Sequence, residues 1–206
     1  MLTVVEHPVL RRDLSVLRDQ NTPHGVFRKV LSDASAILAY EAMRNVATET
    51  FTVQTPLEPT TGYRFRDEIW IVPILRAGLG MVDGFTRFIP ESRIGHVGVY
   101  RDESTHQPVE YYLNLPEDLS HAEVFVVDQM LATGGSAKWA IEMLKERKAG
   151  RITLVCLVAA PEGAKAVEDV YPDVPIFTAT LDRELNSQKY ILPGLGDAGD
   201  RIFGTH

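Results

Sequence analysis

Residues 123–138 read E-V-F-V-V-D-Q-M-L-A-T-G-G-S-A-K. The apolar, β-branched run 124–127 predicts a buried strand, and the next residue is an acid, Asp128. A loop of small and hydroxyl residues, Ala132, Thr133, Gly134, Gly135 and Ser136, then leads into a helical pattern over 137–148. Trp139, Ala140, Met143 and Leu144 lie on one face of that helix. In an open parallel sheet, ligands sit beyond the carboxyl ends of the strands, where Asp128 is expected. Glycines let backbone N–H groups approach an anion, and a helix N-terminus adds its dipole and unpaired donors. The loop therefore suits a phosphate, and the carboxylate before it suits hydroxyls beside that phosphate. Together they describe a bound sugar phosphate. A plain strand-to-helix turn with a serine cap would explain the glycine pair alone. It does not explain a strand-end acid followed by a hydroxyl–glycine loop.

Working outward, four more β-branched apolar runs appear at 69–75, 94–100, 152–158 and 176–181. Helical patterns separate several of them, at 80–88 and 163–171. Earlier in the chain, Thr22-Pro23 reads as a helix start, and Phe27, Val30, Leu31, Ala34, Ile37, Leu38 and Ala42 continue it to about Val46. Apolar strands alternating with helices predict an α/β fold, with a mostly parallel central sheet and helices on both faces. The polar interval 102–123 interrupts the alternation and carries V-E-Y-Y-L at 109–113, which reads as a strand of an excursion. Residues 183–206 have no clear period but include Tyr190, Ile191, Leu192, Leu195 and Phe203. They read as an ordered, irregular cover. With no repeat or linker, one domain is expected over 1–206, its core about 65–182, with an N-terminal helical part and a C-terminal hood from about 183.

Composition excludes several classes. The net charge of −7 argues against a general nucleic-acid surface. The longest apolar run, near 152–160, is too short to span a bilayer, and the N-terminus lacks a signal pattern. The single cysteine, Cys156, sits in the run R-I-T-L-V-C-L-V and reads as core, which suits a reducing cytosol. The histidines, among them His7, His96 and His106, show no zinc-like spacing, so no metal-ligating set is expected. No Walker A motif occurs in the loop. The literal G-x-G-x-x-G at 194–199 leaves only seven residues after it, too few for a dinucleotide-binding unit.

The stretch V-V-D-Q-M-L-A-T-G-G-S at 126–136 resembles the phosphoribosyl pyrophosphate (PRPP) motif of the uracil phosphoribosyltransferases. It differs only at Gln129, where that family usually has proline. P-I-L-R-A-G-L-G-M at 73–81, Y-R-D-E at 100–103, P-V-E-Y-Y at 108–112 and Y-I-L-P-G-L-G-D-A-G-D-R-I-F-G-T at 190–205 resemble the same family. The resemblance implies a type I phosphoribosyltransferase fold and transfer of 5-phosphoribosyl from PRPP to N1 of uracil, giving UMP and pyrophosphate. It implies PRPP binding by Arg76, Arg101, Asp128, Gln129, Met130, Leu131, Ala132, Thr133, Gly134, Gly135, Ser136 and Asp197. Arg76, Arg101 and Asp128 are the catalytic candidates. Uracil is expected at Ile191, Gly196, Asp197 and Ala198. Mg²⁺ bound mainly through PRPP, a homo-oligomer, GTP as an effector in some relatives, and a cytoplasmic location are implied as well. So are a non-proline cis peptide at or beside Arg76 and a flap over 102–112 that closes on PRPP. A truncation from 190 onward is expected to spare PRPP binding, because the phosphate loop lies on the sheet. Gln129 implies a differently hydrogen-bonded loop, and Lys189 stands where the family usually has glycine. The alternatives are a phosphoribosyltransferase for another base and a pyrimidine-operon RNA-binding regulator on the same fold.

Overall fold

The computed structural model describes residues 1–101 and 108–205. In chain order the elements are β1 (Leu2–Val4), α1 (Pro8–Arg18), α2 (His24–Ala42), β2 (Thr48–Gln54), β3 (Pro59–Phe65), β4 (Glu68–Leu75) and α3 (Leu79–Thr86). There follow β5 (Arg93–Ile94), β6 (His96–Arg101), β7 (Pro108–Asn114), β8 (Ala122–Leu131), α4 (Gly135–Glu146), β9 (Arg151–Ala159) and α5 (Pro161–Glu168). The chain closes with β10 (Ile176–Leu181), β11 (Glu184–Leu185), β12 (Ile191–Leu192) and α6 (Ala198–Phe203).

The main sheet runs β1-β10-β9-β8-β4-β6-β7, with β5 also beside β4. Its pairs are parallel except β6 with β7. The period of two along each strand divides the core between the two faces. Phe125 and Val127 of β8, with Val155 and Leu157 of β9, pack among Leu10, Phe27, Leu31, Phe85 and Ile202 from α1, α2, α3 and α6. Val124 and Val126, with Leu154 and Cys156, pack against Ile141, Leu144 and Val167 from α4 and α5. The expected two-faced sheet is therefore present. Cys156 is a free, buried core residue, and burial pushes its thiol up to about 12. No helix among the described residues is long and apolar enough to cross a membrane.

The structure departs from the sequence reading in several places. The long helix starts at His24 rather than at the Thr22-Pro23 pair, and the Thr22 hydroxyl donates to the Val16 carbonyl at 2.6 Å instead of capping it. It ends at Ala42, four residues before Val46. β8 continues past Asp128 to Leu131, because β9 offers partners as far as Ala159. α4 starts two residues early, at Gly135. The expected flap over 102–112 divides: 102–107 lie outside the described residues, whereas 108–112 belong to β7, paired with β6 around a bulge at Tyr111. The β2–β3 hairpin and helix α1 were not expected. Helix α1 is started by Pro8 at its first turn and by His7, whose Nδ1 accepts from the Val9 N–H at 3.2 Å. Leu10, Leu14 and Leu17 then give it a buried stripe.

Candidate active site

The chain leaves β4 through α3 toward β6 on one side of the sheet, while β8 leads through α4 to β9 on the other. The carboxyl ends of β4 and β8 are thus the topological switch point, where an open α/β sheet forms a crevice. Arg76 follows β4, and Asp128 stands in the last turnings of β8. Two contacts bring these ends together. A Cβ added at Gly78 would stand 2.4 Å from the Val127 carbonyl oxygen, so only glycine lets the loop 76–78 lie against β8. The Gln129 side chain donates from Nε2 to the Ala77 carbonyl oxygen at 2.8 Å.

Asp128 is half-buried and lines a cavity of about 100 Å³ with Met130, Leu131, Ala132, Thr133, Gly134, Gly135 and Ser136. Its Oδ1 accepts from the Gln129 N–H at 2.8 Å. Desolvation by the surrounding protein outweighs this bond and that from the Met130 N–H, and pushes the carboxyl up to about 7. Gly134, at φ 79°, is the N-cap of α4 and has no side-chain capping bond, while Thr133 and Ser136 are exposed beside it. The first-turn N–H groups of α4 thus lie next to the cavity with no side-chain cap, the arrangement that binds a phosphate.

Gln129 departs from the expected PRPP contact. Its side chain is fully buried and turned to Ala77, so it ties two loops together instead of facing the cavity. A proline there could supply neither the N–H bond to Asp128 nor the link to Ala77. Arg76 is exposed, makes no ion pair with any described residue, and the Leu75–Arg76 peptide is cis, as expected. Arg101 ends β6, next to β4 in the sheet; its side chain lies outside the described residues.

The C-terminal segment, expected as the hood, is ordered and packs its Ile191, Leu195, Ala198 and Ile202 into the core. β12 pairs antiparallel with β11, and the turn after it carries Gly196 and Asp197, both exposed. Asp197 caps α6 by accepting from the Asp200 N–H at 3.0 Å. Ile191 and Ala198 are buried beneath the turn. Lys189 adopts φ 68°, the left-handed conformation that glycine takes without steric cost. Three residues that hold the hood went unread in the sequence: Arg18, Asp182 and Arg201. Asp182 carried the same signal as Asp128, an apolar run ending on an acid. Arg18 and Arg201 carried none, because Asp182 and Leu17, which they reach, are far away along the chain.

This fold, with an acid and a glycine-containing loop at its switch point, is that of the phosphoribosyltransferases. A solved purine phosphoribosyltransferase from Pyrococcus horikoshii shares it, with a TM-score of 0.52 at 18% identity over 74% of this chain and 82% of that one. A solved protein from Aquifex aeolicus matches with a TM-score of 0.92 at 36% identity over 98% of both chains. The family model described as uracil phosphoribosyltransferase matches residues 4–205. Uracil phosphoribosyltransferases of Salinibacter ruber and Lactiplantibacillus plantarum are 61% and 51% identical, over 99% and 98% of this chain and 97% of each relative. The chain belongs to the uracil phosphoribosyltransferase family.

Proposed function

We propose that this chain transfers the 5-phosphoribosyl group of PRPP to uracil in the crevice between β4 and β8. The observation that carries the reading is one switch point holding a half-buried acid, a helix N-terminus with no side-chain cap and an exposed arginine. The loop 132–136 and the start of α4 take the 5-phosphate, with Met130 and Leu131 shaping the cavity wall. Asp128 accepts from the ribose hydroxyls. Gln129 acts from behind, by holding Asp128 and the 76–78 loop in one geometry. Arg76 and Arg101 neutralise the pyrophosphate, and Asp197 stands near PRPP at the hood. Backbone around Ile191, Gly196, Asp197 and Ala198 reads the base.

The reaction breaks the bond from C1 to the pyrophosphate oxygen, leaving its electrons on oxygen. It forms the N1–C1 bond, and N1 gives up its proton. Positive charge develops on the sugar as negative charge leaves, so holding both substrates and stabilising the leaving group supply the catalysis. Asp128 is the acid of the cavity lining, which supports a role at the sugar. Mg²⁺, held mainly by pyrophosphate oxygens and water, would neutralise part of the leaving group's charge.

Pyrophosphate release from PRPP, measured with each nucleobase in turn, tests the assignment: uracil should support it and the purines should not. Arg76→Ala should weaken PRPP and pyrophosphate by about tenfold or more, the loss of a charge-assisted contact, while UMP, which lacks the pyrophosphate, binds nearly as before. Equal weakening of all three would remove Arg76 from the leaving-group site. We place the chain in the cytosol, where its lone buried thiol is suited. GTP activation rests on the resemblance, and assay of kcat with and without GTP decides it. Assembly as at least a dimer is supported by exposed Phe51, Leu57 and Tyr63 on the β2–β3 hairpin. Light scattering that finds a monomer at working concentration would overturn it.

A further inference from the structure

Asp182 follows β10 and is 7% exposed. Four donors converge on its carboxylate. Arg18, the last residue of α1, donates from Nη2 to Oδ1 at 2.6 Å and from Nη1 to Oδ2 at 2.9 Å. The Gly194 N–H donates to Oδ2 at 2.9 Å, and the Thr180 hydroxyl to Oδ1 at 3.3 Å. Arg18 Nη1 also donates to the Gly194 carbonyl oxygen at 2.7 Å. Both backbone polar groups of Gly194 are therefore held by one ion pair. Only glycine fits this turn: Gly194 sits at φ 56°, and an added Cβ would meet the Ile191 carbonyl oxygen at 2.2 Å. Asp182 and Gly194, twelve residues apart, close the hood's base around β11 and β12. Burial alone would raise the Asp182 carboxyl, but the Arg18 guanidinium and the Gly194 N–H hold it below its usual range.

We infer that the Arg18–Asp182 pair is a specificity-determining positioning device that fixes the Gly194 turn, and through it the backbone at Ile191 and 196–198. The inference rests on the reading of that backbone as the uracil site. A buried ion pair contributes little net stability, because desolvation offsets its attraction. Its distinctive effect is directional: a planar guanidinium bonded to both carboxylate oxygens and to a carbonyl fixes the turn in one orientation. Neither residue needs to touch substrate. Arg201 braces the other side of the turn. It donates to the carbonyls of Leu17 and Leu195 and lies 4.6 Å from the Phe27 ring centroid.

The test is steady-state kinetics on the full-length enzyme with PRPP, uracil and cytosine. Asp182→Asn should lower kcat/KM for uracil about ten- to a hundredfold and shrink the uracil-to-cytosine ratio, with KM for PRPP held within about twofold. Arg18→Lys keeps the charge but cannot make the three bonds at once, and should show the same split should Asp182→Asn fail to fold. Asp13→Asn is the control, a second buried carboxylate, on α1 itself but outside the pair. It should leave the ratio unchanged. Variants that lower kcat alone, or raise both KM values together, would overturn the positioning role. If wild-type protein releases no pyrophosphate with uracil, the base assignment fails instead, and the split is then read with whichever base is accepted.

Discussion

Cytosine should support transfer with a kcat/KM about thirtyfold to more than ten-thousandfold below that of uracil. Uracil presents O4 as an acceptor and N3–H as a donor, whereas cytosine presents an amine and an acceptor nitrogen at the same places. A site offering N–H to O4 and C=O to N3–H leaves two groups unmatched when cytosine enters. Each mismatch costs about 1–3 kcal/mol, and the two together give that range without an editing step. Backbone reading by the proposed uracil site is supported by its side chains: Gly196 and Asp197 form an exposed turn, while Ile191 and Ala198 are buried. Ile191→Val should therefore barely change the ratio, and a 5-fluoro substituent, which leaves the read edge intact, should be tolerated. Comparable kcat/KM for uracil and cytosine would refute backbone reading of the base. Point variants are the right instrument here. Ile191, Leu195, Ala198 and Ile202 belong to the same core cluster as Phe27 and Leu31, so truncation from 190 would open the core rather than spare PRPP binding.

Asp128→Asn should lower kcat/KM for PRPP about ten- to a hundredfold, the loss of a charge-assisted hydrogen bond worth roughly 1.5–3 kcal/mol. The pH dependence carries a second signature. The carboxyl sits at about 7 in the free protein, and ribose hydroxyls bond best to its ionised form. Below that pH its proton must leave before PRPP binds well, so kcat/KM should rise with pH through about 7 and then level. A phosphate monoester titrates near 6, so the substrate contributes its own slope. The asparagine variant retains that slope and loses the one due to Asp128. The sign for stability is opposite. A carboxyl raised in the folded state binds more protons than in the unfolded chain between about 4 and 7, so the ligand-free protein loses stability as pH rises through that window. A profile identical in both proteins would remove Asp128 from the ribose site.

Local pattern determined much of this protein. The β-branched runs at 69–75, 152–158 and 176–181 are strands within a residue or two, because burial on both faces of a parallel sheet demands continuous apolar chain. The acid and glycine loop at 128–136 marked one wall of a cavity at the strand ends for the same kind of reason: their chemistry is local and consecutive. The β2–β3 hairpin was legible in principle from its alternating pattern. Helix α1 was legible in the same sense, from Pro8 and the spacing of Leu10, Leu14 and Leu17, though neither element was expected. Only the tertiary structure decided how these parts meet. Gln129 looked like a ligand contact in sequence, but β8 packs it inward onto Ala77, 52 residues away. Arg18 and Asp182 lie 164 residues apart, yet the fold closes that distance to 2.6 Å and seats the Gly194 turn upon the pair. Periodicity and turn chemistry are written in neighbouring residues, whereas an ion pair depends on separation in space, which only the order of strands in the sheet sets.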